Sequence, residues 1–278
     1  MIVRSDLILL LGESDVGKTH YGAQLLKRLM NGGGLLRMNG AATNLDPFES
    51  ALERLNDGKS AGHTANATYV DSVWPVIDTE GQAAEIVWPD YGGEQLSQIV
   101  NARRMPNAWR TRVSASQAWL LLIRLQQMRA PDDIFSRPLA SLSSSSSENR
   151  EVHVSDQARF IELLQFLLFA AHAKTNAPLE QPRLCVLLTC WDELGFGGTP
   201  MDALQHRLPM FCEFVEANWR QPLVLGLSAL GRPLSPSARD MDYVALGPEN
   251  FGYVVKSDGS ETRDLTLPIR LLLKGPKV

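Results

Sequence analysis

Near the amino end, Gly12-Glu13-Ser14-Asp15-Val16-Gly17-Lys18-Thr19 follows the apolar run Leu7 to Leu11. The spacing is G-x-x-x-x-G-K-[ST], and the chemistry it suits is the grip of a phosphate chain. A backbone that leaves a strand and turns directly into a helix aims successive N–H groups at one point, where phosphate oxygens can accept from them. Glycine at 12 and 17 allows close approach and positive φ. Lys18 would reach the β- and γ-phosphates, Thr19 would offer its hydroxyl to Mg²⁺, and the helix start adds partial positive charge. His20 closes this candidate nucleotide-binding set. It reads as a helix-surface residue rather than an acid–base group.

Further candidates each stand directly after a hydrophobic run. Asp90, at the end of AEIVW and its proline, can hold Mg²⁺ through a water. Gly93, three residues on, can give its N–H to a γ-phosphate and release its loop when that phosphate leaves. Thr189-Cys190-Trp191-Asp192 follows LCVLLT, and Ser228-Ala229-Leu230 follows the next such run.

In order and content these four motifs resemble the TRAFAC class of GTPases, in particular the Ras-like branch, over roughly residues 2–230. The form Asp90-Tyr91-Gly92-Gly93-Glu94 and the long inserts look most like the bacterial double-GTPase group of conflict or signalling operons. The resemblance implies a three-layer P-loop NTPase fold, GTP or GDP as ligand and Mg²⁺ as cofactor. It also implies that Asp192 accepts from guanine N1 and N2 while the Ala229 N–H meets O6. Thr64 and Thr68 both fall where such proteins carry a switch threonine that completes the metal site. Thr64 is preferred because it lies in the more flexible stretch.

The chain also departs from that pattern. Cys190 and Leu230 replace lysines, which implies weaker hold on the base. Glu94 stands where a glutamine would orient the attacking water, and Gln95 is one residue further. A carboxylate there adds repulsion near a γ-phosphate. Slow intrinsic hydrolysis, relieved by a protein activator acting in trans and read by a protein effector, is the expectation. Arg103, Arg104, Arg110 and Arg112 read as solvated surface residues rather than a charge-stabilising arginine in cis. Two other readings stay open: a pseudo-GTPase scaffold, and a P-loop ATPase, which would leave Asp192 and Ser228-Ala229 unexplained.

The elements that must position these residues alternate. Strands are expected over 2–11, 68–77, 83–88, 118–125, 184–189 and 223–227, and helices over 18–30, 47–55, 94–104, 155–174 and 204–218. Alternation of this kind predicts an α/β fold with a mostly parallel sheet. The short connection 78–82 makes residues 68–88 an antiparallel hairpin, and Pro75, which has no N–H to give, places its strand at a sheet edge. Asp46 is expected to cap the second helix. The serine-rich stretch 130–152 is an insertion unable to bury apolar area, and residues 247–278 add a hairpin at Asp258-Gly259 and a short helix. The expectation is one domain over 1–278.

Composition narrows the classes. The chain has 278 residues, a formal net charge of −4 and pI near 5.8, which argues against a general nucleic-acid binder. Three cysteines, an odd and sparse set, fit buried thiols in a reduced cytoplasmic protein and do not have metal-pair spacing. The greasiest segment, residues 160–173, is interrupted by Glu162, Gln165 and His172 and is too short to span a bilayer. It reads as an amphipathic helix packed on the domain.

Overall fold

The computed structural model describes residues 6–61, 71–88, 94–128, 155–173 and 176–274, apart from the side chains of Pro47 and Glu94. Nine strands form one sheet in the order β2-β3-β4-β1-β5-β6-β7-β8-β9. Its centre is parallel: β4 (Ala83–Trp88), β1 (Asp6–Gly12), β5 (Ala118–Ile123), β6 (Arg183–Thr189) and β7 (Leu223–Ser228). Parallel strands covered on both faces need no alternation of apolar and polar residues. Accordingly all of AWLLLI in β5 is buried.

The two faces sort by residue parity. Leu9, Leu11, Trp119, Leu121, Val186 and Leu188 point into one core, with α3 (Glu94–Ala102), α4 (Asn107–Ala115), α5 (Asp156–Ala170), α6 (Pro200–Arg207) and α7 (Pro209–Asn218) over it. Ile8, Leu10, Leu120, Leu122, Cys185 and Leu187 point into the other, beneath α1 (Lys18–Asn31) and the carboxyl-terminal α9 (Leu267–Lys274). The result is three layers, as expected.

The edges are richer than the sequence suggests. The expected antiparallel strand is β3 (Ser72–Asp78), but β2 (Leu36–Met38) pairs outside it, and on the opposite side β8 (Tyr253–Val255) is antiparallel to β7 and β9 (Glu261–Thr262) antiparallel to β8. Pro75 is therefore in the second strand and not at the border. In an antiparallel ladder a residue's N and O face the same side. Pro75 O accepts from Asn39 N–H at 2.8 Å, just past Met38, the last residue of the β2 ladder. The missing N–H thus falls where pairing has already ended.

Several helices differ from their expected bounds for visible reasons. The single helix expected over 204–218 is two, because Pro209 cannot continue the first and instead opens the second. Thr199 and Asp202 form a capping box that starts α6 before Leu204. In α2 (Asp46–Asn56) the N-cap position is Leu45, and Asp46 lies within the first turn. Two further helices are α4, whose apolar periodicity is weak, and α8 (Met241–Leu246), which has only six residues. The insertion 130–152 lies outside the described residues. No helix among the described residues is long and apolar enough to cross a membrane.

Candidate functional site

The phosphate-type loop leaves β1 at Gly12, on the carboxyl side of the parallel strands. A Cβ on Gly12 would lie 2.9 Å from Val16 Cγ2 and 3.2 Å from Leu122 Cβ, so only glycine fits. Asp15 and Gly17 are left-handed, with φ of 61° and 81°. Left-handed residues among right-handed ones gather N–H groups into a concave nest, which suits an anion. The helix then closes through Tyr21 N–H to Gly17 O at 2.9 Å. Lys18 folds back along the loop, donating to Gly12 O at 2.9 Å and to Glu13 O. Its ammonium is held beside the nest with little need to reorganise.

Two charged groups brace this loop from outside the motif. Glu13 is largely buried. Its carboxylate pairs with Arg159 of α5 at 2.8 Å and accepts from Ser97 Oγ of α3 at 3.3 Å. Burial raises the Glu13 pKa, and the Arg159 guanidinium works against that shift. Arg124 follows β5. It donates to Asp15 O at 3.2 Å and grips Glu193 with two parallel bonds, of 3.1 and 2.8 Å. It thereby joins the phosphate-type loop to the loop after β6. Neither arginine belongs to a motif, so no sequence pattern announces it.

The loop after β6 begins at Thr189, whose buried hydroxyl has no hydrogen-bond partner among the described residues. Cys190 is left-handed, with φ 53°, and its Sγ lies 3.9 Å from a Cβ placed on Gly17. Burial pushes its thiol up to about 11, so it packs as a neutral group between the two loops. Trp191 turns inward. It covers Gly226 of β7, where an added Cβ would sit 2.7 Å from the indole. It therefore anchors the loop to the sheet and does not replace the missing lysine as a cover for a base. Asp192 stays partly exposed.

The loop after β7 is held more firmly. Ser228 is fully buried, and its Oγ accepts from Gly231 N–H at 2.8 Å. Leu230 packs with Ala23, Ala51, Leu55 and Tyr243, and its carbonyl accepts from Tyr243 OH at 2.6 Å. An apolar residue at 230 is thus explained by a pocket between α1, α2 and α8. Gly252, just before β8, presses on Ala229: a Cβ there would lie 2.5 Å from Ala229 O.

Other expected residues are placed differently. His20 is not a free surface residue: its Nε2 accepts from Ala61 N–H at 2.9 Å, and burial lowers its pKa to about 4. Gln95 accepts from Trp109 Nε1–H of α4 at 3.1 Å, which commits it to the helix pair. Arg112 pairs with Asp71 at 2.7 Å, and Arg103 with Glu162 at 3.1 Å. Thr64, Thr68, Asp90 and Gly93 lie outside the described residues, as does the Glu94 side chain. Thr19 sits at the start of α1 beside the loop. All three cysteines are free.

In register, Gly12 neighbours Leu122 of β5, and Ile123 of β5 neighbours Leu188 of β6. Phosphate-type loop and Asp192 loop are thus two strand spacings apart, about 10 Å, on one rim of the sheet. With this geometry, the match to a family profile described as Double-GTPase 1, over residues 9–272, decides the matter. The chain belongs to the Double-GTPase 1 family. No curated protein matches. Among solved structures, a bacterial selenocysteine-specific elongation factor EF-Sec is similar at 13% identity and TM-score 0.41, covering 98% of this chain and 29% of that one. The Chaetomium thermophilum signal recognition particle receptor SRb-GTP/SRX complex is similar at 14% identity and TM-score 0.37, covering 87% and 97%. This Double-GTPase 1 chain thus spans less than a third of the elongation factor it resembles.

Proposed function

We propose that this chain is a guanine-nucleotide-binding switch that hydrolyses GTP to GDP and phosphate slowly by itself and acts through protein partners. The observation that carries this reading is Arg124, which bonds the phosphate-type loop and the Asp192 loop to each other on one rim of the sheet. An ordinary strand-end turn would have no reason to be coupled to a second loop bearing an aspartate. The whole described chain rests on one sheet, which supports its reading as one domain.

Each residue then has a task. The N–H groups of residues 13–18 bind the phosphates, and Lys18 neutralises the terminal ones as charge moves onto them. Asp192 accepts from guanine N1 and N2, and the Ala229 N–H donates to O6. Thr19, Asp90 and Thr64 offer hard oxygen ligands of the type Mg²⁺ prefers, so the donor set fits that ion. When bound, Mg²⁺ would neutralise charge between the β- and γ-phosphates. Gly93 would sense the γ-phosphate. The Glu94 carboxylate orients water poorly and repels the phosphate, and Gln95 is held by Trp109, which together support slow turnover. Slow turnover calls for a trans-acting activator; a role in bacterial signalling or conflict rests on the family resemblance, and a cytoplasmic setting on the sparse, free cysteines.

The test is displacement of a fluorescent guanine nucleotide by GDP, GTP and ATP, with and without Mg²⁺. GDP and GTP should compete and ATP should fail. Equal competition by ATP would overturn the guanine selectivity and favour the ATPase reading. Single-turnover hydrolysis should be slow at neutral pH, and fast unaided turnover would remove the need for an activator.

A further inference from the structure

A groove of about 390 Å³ lies at the far end of α3, between the α3–α4 junction and the end of α5. Arg103, Arg104 and Arg110 line it together with the apolar Met105, Phe166 and Phe169. The three arginines are exposed. Arg103 pairs with Glu162, while Arg104 and Arg110 have no ion pair among the described residues. Phe169 is 79% exposed, more than any other large hydrophobic residue of the described chain. An exposed aromatic beside two guanidinium groups that have no ion pair among the described residues is a surface matched to a partner bearing both apolar and negative groups.

The backbone sharpens the point. α3 ends in a Schellman motif: Arg104 N–H bonds to Ile99 O at 3.3 Å and Arg103 N–H to Val100 O at 3.2 Å. The left-handed position of that motif, φ 49°, is normally a glycine, and here it is Arg103. Stability favours glycine there, so the side chain is kept at some cost to the fold.

We propose that this groove docks an acidic segment of a partner protein bearing at least one bulky apolar side chain. Carboxylates would pair with Arg104 and Arg110, whose planar forks suit bidentate contact, while the apolar side chain would cover Phe169. Charge complementarity selects that occupant. The chain as a whole is acidic, at −4, so an acidic partner is repelled elsewhere and drawn to this patch. The apolar lining separates this surface from a nucleic-acid site, where phosphate neutralisation dominates and a net negative protein binds poorly.

The experiment is selection of a displayed random-peptide library on the full chain, followed by anisotropy titration of an enriched peptide against variants. Enriched peptides should combine Asp or Glu with Phe, Trp, Leu or Met. Arg104→Glu with Arg110→Glu should weaken the chosen peptide at least tenfold, and Phe169→Ser should do so independently. All three positions are exposed, and GDP affinity should be unchanged in each variant. Enrichment of neutral or basic peptides, no enrichment at all, or undiminished binding to both variants overturns the proposal. So does tighter binding of a single-stranded oligonucleotide at the same groove.

Discussion

In the proposed reading, Asp192 carries the heaviest chemical load of any single residue. A carboxylate can accept from both N1–H and N2–H of guanine, whereas adenine offers no such pair of donors. Replacing it with asparagine exchanges one acceptor for an NH₂ donor. Asp192→Asn should therefore lose guanine nucleotide by about tenfold to a hundredfold, in line with the loss of charge-assisted hydrogen bonds. The same variant should gain xanthine nucleotide, whose C2 carries a carbonyl that the new donor can meet. Competition of XDP and GDP for one site measures both changes; a variant that loses both nucleotides equally would show Asp192 to be structural. The place of Asp192 on the rim of the sheet was legible because the hydrophobic run before it predicts the strand that ends at Thr189. Trp191 was not, because only the packing on Gly226 shows which way the ring turns.

At the scale of elements, loops gain their precision from residues that no motif contains. Arg124 ties Asp15 to Glu193, and the side chains of Arg124 and Glu193 are each about one quarter exposed, so their contact is not merely a solvated surface pair. Arg124→Met keeps the stem and removes both bonds. Nucleotide release should quicken about fivefold to thirtyfold in stopped-flow displacement, with little change in melting temperature. A large fall in stability with unchanged release would make Arg124 a fold residue only. Gly252 acts on the other loop. Its φ of 85° and the 2.5 Å approach of a would-be Cβ to Ala229 O leave an alanine no comfortable place. Gly252→Ala should cost about 1–3 kcal/mol in denaturant unfolding and weaken guanine binding, since Ala229 must shift. The long parallel strands were readable from their unbroken Leu, Ile and Val runs. By contrast β2, with three residues, and α8, with six, are too short to show a period, and tertiary contacts define them.

At the scale of the whole molecule, the hairpin and helix after residue 247 are built into the sheet and core rather than appended to them. Sequence alone assigns the hairpin after residue 247 no role, yet β8 lengthens the sheet behind Ser228 and α9 seals the core under α1. Arg28 of α1, buried, donates to Glu249 O at 3.2 Å and to Phe251 O, so the first helix and the last hairpin are joined. A molecule closed in this way should feel a charge introduced near its first helix as a loss of global stability. His20 provides that test. Its pKa of about 4 lies below the 6.5 of a free imidazole because burial disfavours the cation. The unfolded chain therefore takes up the proton first as pH falls, so this contribution is intact above pH 6.5 and is lost between 6.5 and about 4. At about 1.4 kcal/mol per pH unit, the window carries on the order of 3 kcal/mol. Glu13 acts in the opposite direction, since its raised pKa means that protonation relieves a buried charge. It is common to wild type and to His20→Gln, whose side-chain carbonyl can still accept from Ala61 N–H. Between pH 6.5 and 4, wild type should thus lose unfolding free energy more steeply than His20→Gln, and parallel pH profiles of the two in urea titrations would show that the buried imidazole does not couple to folding.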